Sequence, residues 1–159
     1  MEFFTIGVYN TTEQTFFDKL IQNKIDAFCD VRQRRGVRGA KYAFVNSSRL
    51  QQKLAALNIL YRHEIMLAPT TTMREVQTIE DKQSQLLKRE RVQLSDAFIL
   101  GYKKDILHTF NFNQFLETLA DADFQRVVLF CVEEHASACH RSIIAETLAV
   151  KYHYKITHL

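Results

Sequence analysis

Three short stretches of this chain carry the residue types that do chemistry. Asp30-Val31-Arg32 sets a carboxylate two residues from a guanidinium, and Cys131-Val132-Glu133 sets a thiol two residues from a carboxylate. Cys139-His140-Arg141-Ser142 gathers a thiol, an imidazole, a guanidinium and a hydroxyl. A cysteine at a helix start beside His140 and Arg141 is biased towards thiolate by the helix dipole and the cations; the plain alternative is that Cys139 is a small buried cap residue. Asp30 and Glu133 suit an acid–base pair provided burial raises one of them, and they suit equally well the orienting of an arginine, with Asp30 holding Arg32 or Arg141. The candidate catalytic residues are therefore Asp30, Glu133, Cys139 and His140. Arg141 has a two-pronged fork next to free helix amides, which fits a phosphate or carboxylate, or else an ion pair with Asp30 or Glu133. Arg32, Arg141, Ser142, Asn10 and Tyr9 are the ligand-binding candidates.

Charge is segregated along the chain. Between Asp30 and Glu64 there is no acidic residue, yet Arg32, Arg34, Arg35, Arg38, Lys41, Arg49, Lys53 and Arg62 all fall there. With a net charge of +3 for the whole chain, the remainder is acidic. Such a split suits a surface that meets phosphates, although a solvated basic face with no partner has the same composition. Within it, Arg34, Arg35, Arg38 and Lys41, interleaved with Tyr42 and Phe44, are the nucleic-acid-binding candidates.

Cys131, Cys139 and His140, with Glu133 or His135, are atom types that zinc accepts, but their spacing matches no recognised pattern, so no metal and no cofactor is assigned. The chain has no Cys-x-x-Cys, no His-Glu-x-x-His and no Gly-rich Walker loop. Cys131 also lacks an arginine six residues on, as a phosphatase-type loop requires. His108, His153 and His158 stand alone and read as surface or packing residues.

Positioning these groups takes short strands and amphipathic helices. Residues 3–8 read as a strand, and Thr11-Thr12-Glu13-Gln14 has capping-box spacing ahead of Phe16, Phe17, Leu20 and Ile21. A second strand spans 25–31 and runs into a basic loop marked by Gly36 and Gly39. Ser47 or Ser48 caps a helix carrying Leu50, Leu54 and Leu57, and 59–63 is a third strand. Residues 70–101, with Val76, Ile79, Leu86 and Leu87 among many charges, read as a helical insertion. Asn111 or Asn113 opens a helix through Phe112, Phe115, Leu116 and Leu119, and 126–132 is the most strand-like segment. A helix from about 139 to 151 and a strand at 154–159 close the pattern. Alternation of this kind predicts a single α/β domain over 1–159, with a mostly parallel central sheet, flanking helices and Rossmann-like layering. In such a sheet ligands bind beyond the carboxyl ends of the strands, where all three stretches fall.

The chain's 159 residues, 47% of them hydrophobic and 25% charged, suit one globular core. Four Gly and one Pro leave no room for a flexible linker or a Pro-rich stalk. The longest apolar run, 127–132, is far too short to cross a bilayer. Three cysteines at irregular spacing suit free thiols in a reducing compartment, and with no signal-like start the expectation is a cytoplasmic protein.

The order Thr5-Ile6-Gly7, Asp30-Val31-Arg32, Cys131-Val132-Glu133 and Cys139-His140-Arg141-Ser142 resembles a bacterial family, domain of unknown function 488. Its members look like a Thr-Ile-Gly-His start, an Asp-Val-Arg with a basic loop after it, and a Cys-x-Glu followed by Cys-His-Arg-Ser. Val8 stands where they usually carry His, so a proton transfer by that His is missing here. The resemblance implies an α/β fold with a shared pocket and supplies no activity.

Three functions fit these residues. One is an enzyme binding a phosphate-bearing small molecule or a nucleic acid in a polar pocket at the strand ends. Another is a nucleic-acid-binding module without catalysis, using loop 32–49. The third is a cysteine-dependent enzyme of rhodanese or redox type using Cys139 or Cys131. A homodimer is a candidate assembly, and no membrane is expected.

Overall fold

Strands β1 (Glu2–Ile6), β2 (Ala27–Asp30), β3 (Leu60–His63), β4 (Arg126–Phe130) and β5 (Ile156–His158) pair into one all-parallel sheet in the order β3-β2-β4-β1-β5. They are seen in a computed structural model that describes residues 1–85, 87 and 90–159. A parallel sheet needs both faces covered, and the three central strands are buried at nearly every position, from Phe3 to Ile6, from Ala27 to Asp30 and from Val127 to Phe130. Between the strands run helices α1 (Glu13–Gln22), α2 (Ser47–Ala56), α3 (Thr71–Gln83), α4 (Asp96–Tyr102), α5 (Phe112–Asp121) and α6 (His140–Tyr152). On α1, Phe16 meets Phe28 of β2 and Phe130 of β4 with ring centroids 6.3 and 5.5 Å apart, which locks that helix onto the sheet. No helix among the described residues is long and apolar enough to cross a membrane.

Helix starts differ in detail from the expectations. Thr12, rather than Thr11, caps α1 by accepting from the Thr15 amide. The cap position of α2 is Asn46, not Ser47 or Ser48, which already lie inside the helix; the Asn46 side chain accepts from the Val37 amide and so ties down the basic loop instead of the helix start. Asn111 caps α5, accepting from Gln114. The closing strand is shorter than 154–159 because Tyr154 still bonds back to the end of α6 at Leu148. Residues 70–101 carry α3 and α4, and Leu86 lies outside the described residues.

Strand order decides where a ligand can enter. After β2 the chain moves outward to β3, and after β4 it moves the opposite way to β5. The connections leaving the neighbouring strands β2 and β4 therefore run in opposite directions from their carboxyl ends, and open α/β sheets bind ligands in the crevice between such connections.

Candidate functional site

At the end of β2, Asp30 is fully buried and its carboxylate is saturated. Arg32 binds it with Nε at 2.8 Å and Nη2 at 2.7 Å, its own amide adds a bond at 3.1 Å, and the Tyr61 hydroxyl donates at 2.9 Å. Burial, and after it the charge and hydrogen bond of Asp30, push the Tyr61 phenol up to about 12 against the pull of Arg35, so it remains a donor. Arg32 also donates to the Val45 carbonyl and lies over the Phe130 ring at 4.5 Å, while its Nη1 is buried with no hydrogen-bond partner.

Across the crevice, the segment after β4 is clamped from below. Arg141, 1% exposed, donates to the carbonyls of Glu133 at 2.7 Å and Glu134 at 2.9 Å. Gly7, just past β1, fits under this segment only because it has no side chain: a Cβ there would stand 1.9 Å from the Glu133 carbonyl oxygen. The Val8 and Tyr9 amides both donate to the Val132 carbonyl, and Val8 is buried in the core.

Cys131 directly follows β4, Cys139 is the N-cap of α6 and His140 is its first residue. All three are buried, and their ligand atoms lie within 4.8 Å of one another. Cys131 Sγ is 3.1 Å from Glu133 Oε2, and Cys139 Sγ is 3.6 Å from His140 Nδ1. His140 Nε2 donates to the Val31 carbonyl at 3.0 Å, so Nδ1 turns to the sulfur. Burial works to raise the Cys139 thiol, but the Cys131 hydrogen bond and the charges of His140 and Arg141 bring it down to about 5 against the opposing charge of Glu133. Cys131 is held well above its ordinary range, first by that same hydrogen bond and then by burial. His140 is raised: burial opposes its charge, and the Cys139 thiolate, Glu133 and the Val31 carbonyl overcome it. Burial alone dominates at Cys29, deep in β2, and pushes its thiol far up.

Above these groups opens a cavity of about 670 Å³. Arg32, Glu133, Cys131, Cys139 and His140 form one wall among the described residues, Tyr9, Arg34, Arg38 and Tyr42 another, and Arg74, Gln77 and Arg91 the side supplied by the insertion. Arg91 is satisfied, pairing with Asp81 at 2.9 Å and Glu133 at 3.4 Å and donating to the Ala138 carbonyl. Arg74 is less so: it donates to Gln33 and Thr71, but its Nε is buried without a hydrogen-bond partner, and burial followed by the charge of Arg34 pulls its pKa down.

Of the residues singled out from sequence, Arg32, Glu133, Cys139, His140, Tyr9, Arg34 and Arg38 line this cavity. Asp30, Arg141 and Ser142 stand behind its wall as supports, with the Ser142 hydroxyl donating to the Cys139 carbonyl. Asn10 is exposed, donating through its side chain to Glu134 and through its amide to Tyr42. Arg35 borders a shallow neighbouring depression with Asn46 and Arg49, and Lys41 lies over the Tyr42 ring at 5.1 Å. Sequence reasoning missed Arg74, Gln77, Asp81 and Arg91 altogether; Thr70, the α3 cap that places Arg74, is the sole local signal for any of them.

The arrangement is that of a parallel α/β protein whose polar groups meet at the point where the strand order reverses. Residues 12–148 match the family described as Domain of unknown function DUF488, and the chain belongs to that family. The match takes in Asp30-Val31-Arg32 and both cysteine motifs and begins after Thr5-Ile6-Gly7. No curated protein and no solved structure matches the chain.

Proposed function

We propose that the cavity binds a phosphate-bearing small molecule, such as a nucleotide, and that the chain is an enzyme acting on it at the floor formed by Cys131, Glu133, Cys139 and His140. The observation that carries this reading is a pair of buried guanidinium N–H groups left without hydrogen-bond partners. Arg34 crowds Arg74 closely enough to depress it, and buried N–H groups of Arg74 and Arg32 have no hydrogen-bond partner on the cavity wall. Buried donors left unpaired in a native fold call for a ligand or water, and a bound phosphate supplies several acceptors and the opposite charge together. The volume also falls within the range of small-molecule sites.

The test is thermal stability with inorganic phosphate, nucleoside mono- and diphosphates and a single-stranded oligonucleotide, each at low and high salt. A specific nucleotide at a hundred times its Kd stabilises the fold by about 2.7 kcal/mol. Arg74→Gln removes a charge-assisted bond and weakens that binding about tenfold or more. Absence of any shift with millimolar phosphate compounds defeats the reading. A non-catalytic nucleic-acid module draws support from Arg35 and Lys41, which belong to the same loop but lie outside the cavity lining. On that reading the oligonucleotide binds best, and an Arg35→Ala/Lys41→Ala variant flattens the salt slope by up to about 0.7 for each single-strand phosphate it no longer neutralises.

A further inference from the structure

We propose that Cys131, Cys139 and His140 form a zinc site with three protein ligands, its fourth position turned to the cavity. The site stands independently of what the cavity binds. A tetrahedral zinc with bonds of about 2.3 Å to sulfur and about 2.0–2.1 Å to nitrogen sets its sulfur and nitrogen ligands roughly 3.6 Å apart. Cys139 Sγ and His140 Nδ1 are 3.6 Å apart, and Cys131 Sγ lies within 4.8 Å of both.

The histidine is already prepared for this role. A carbonyl only accepts, so the 3.0 Å contact with Val31 places a ring proton on Nε2 and turns Nδ1 to the sulfurs, where zinc would take the place of any proton it carries. Donation of the second ring nitrogen to a backbone carbonyl is how metal-bound histidines are oriented. Tyr102, with its ring centroid 5.5 Å away, holds the imidazole from the other side. The ligands also sit on rigid ground, one at the end of a central strand and two at the first turn of a helix.

Charge favours the same ion. Two thiolates cancel the two positive charges of zinc, so the loaded site is neutral and tolerates burial, whereas a buried uncompensated charge does not. The two sulfurs and one imidazole select a thiophilic divalent cation over magnesium or calcium. A ligand set of three with a side open to a cavity is the pattern of catalytic zinc, where water or substrate takes the last position. All three residues line the cavity, and Glu133, whose Oε2 is 3.1 Å from Cys131 Sγ, stands next to that opening.

The experiment measures metal in the full chain, purified reduced, untagged and without chelator. One zinc per chain is expected, and Cys131→Ser, Cys139→Ser and His140→Gln each lower the content at least tenfold. Exchange with cobalt gives thiolate-to-metal charge-transfer bands that weaken in either serine variant. Should those variants fail to fold, the wild type alone decides: one equivalent of zinc added to the stripped protein slows alkylation of Cys131 and Cys139 at least tenfold, and a chelator restores it. Folded, reduced wild type that takes up no zinc and shows no protection overturns the proposal. So does zinc that stays on both serine variants. Cys139 that alkylates equally fast with and without zinc is a free thiol, which leaves a nucleophilic cysteine in place of a metal ligand. Because phosphate binding is read separately by thermal shift, a cavity that binds no phosphate leaves the zinc result standing.

Discussion

Asp30 offers the sharpest test of how the β2 side of the crevice is held. Its two oxygens accept four hydrogen bonds, three from Arg32 and one from Tyr61, at a position with no exposure. Asp30→Asn keeps the shape but replaces one oxygen with an amide donor. If Oδ2 is the oxygen replaced, that donor faces Arg32 Nη2 and the Tyr61 hydroxyl, while the arginine loses its counter-charge. Breaking a buried ion pair from one side costs about 3–5 kcal/mol, and two broken bonds put this case in the upper half of that range. For a chain of this length the melting temperature should fall by roughly 8–20 °C, since about 1 kcal/mol shifts it by 2–4 °C. Urea unfolding with an unchanged m-value gives the free energy directly. Tyr61→Phe calibrates the scale, removing one bond to the carboxylate for about 1.5 kcal/mol at this half-buried position. The double change Asp30→Leu/Arg32→Met, which leaves no charge behind, should cost less than Asp30→Leu alone. A loss below about 1 kcal/mol for Asp30→Asn, or additive single and double variants, refutes the claim that Asp30 is there to hold Arg32.

Gly7→Ala drives a Cβ into the Glu133 carbonyl and should destabilise by about 3 kcal/mol, the upper end for overpacking because backbone rather than a side chain must yield; calorimetry reads it. Arg141→Met strips two carbonyls of their donor and should cost about 2–4 kcal/mol in urea, while phosphate affinity measured below the melting point changes less than for Arg74→Gln. His158 accepts from or donates to Thr5 Oγ1 at 2.7 Å, and burial followed by the charge of Arg141 lowers its pKa. The unfolded chain therefore takes up that proton first, so the contribution of His158 to stability is complete above about pH 7 and is lost as the pH falls below the ordinary imidazole range; His158→Asn should remove this contribution to the slope, as urea midpoints from about pH 7 downward will show.

The sheet was legible because a parallel strand buried on both faces is a short, mostly apolar run, and residues 3–8, 25–31 and 126–132 are such runs, with few polar residues among them, in a chain otherwise rich in charge. The place of the site followed from the same reading, since polar residues at the ends of β2 and β4 have only the crevice to enter. What the sequence could not show was the direction of each side chain. Arg141 looks like an anion ligand on composition, but the carbonyls of Glu133 and Glu134 compete for its fork at close range and win. Cys131 and Cys139, eight residues apart, match no metal spacing, yet the turn at Ala136–Ala138 folds the chain back and brings the sulfurs together.

The least legible segment supplies the cavity's far wall, and the two facts share a cause. Helix α3 does bury a regular stripe, Met73, Gln77 and Asp81, at i, i+4 and i+8. Hydrophobic periodicity misses it because two of the three are polar. Gln77 donates to Asp81 at 2.8 Å and accepts from the Ser95 amide at 2.9 Å, and Asp81 receives Arg91, which in turn reaches Glu133. A helix that faced an apolar core would announce itself by leucines at those positions. One whose buried face packs against the polar groups beside a charged cavity must carry side chains that hydrogen-bond to them, and such a face reads in sequence as an ordinary solvated helix. The weak pattern at 70–101 is thus what a polar cavity wall looks like when only composition is visible.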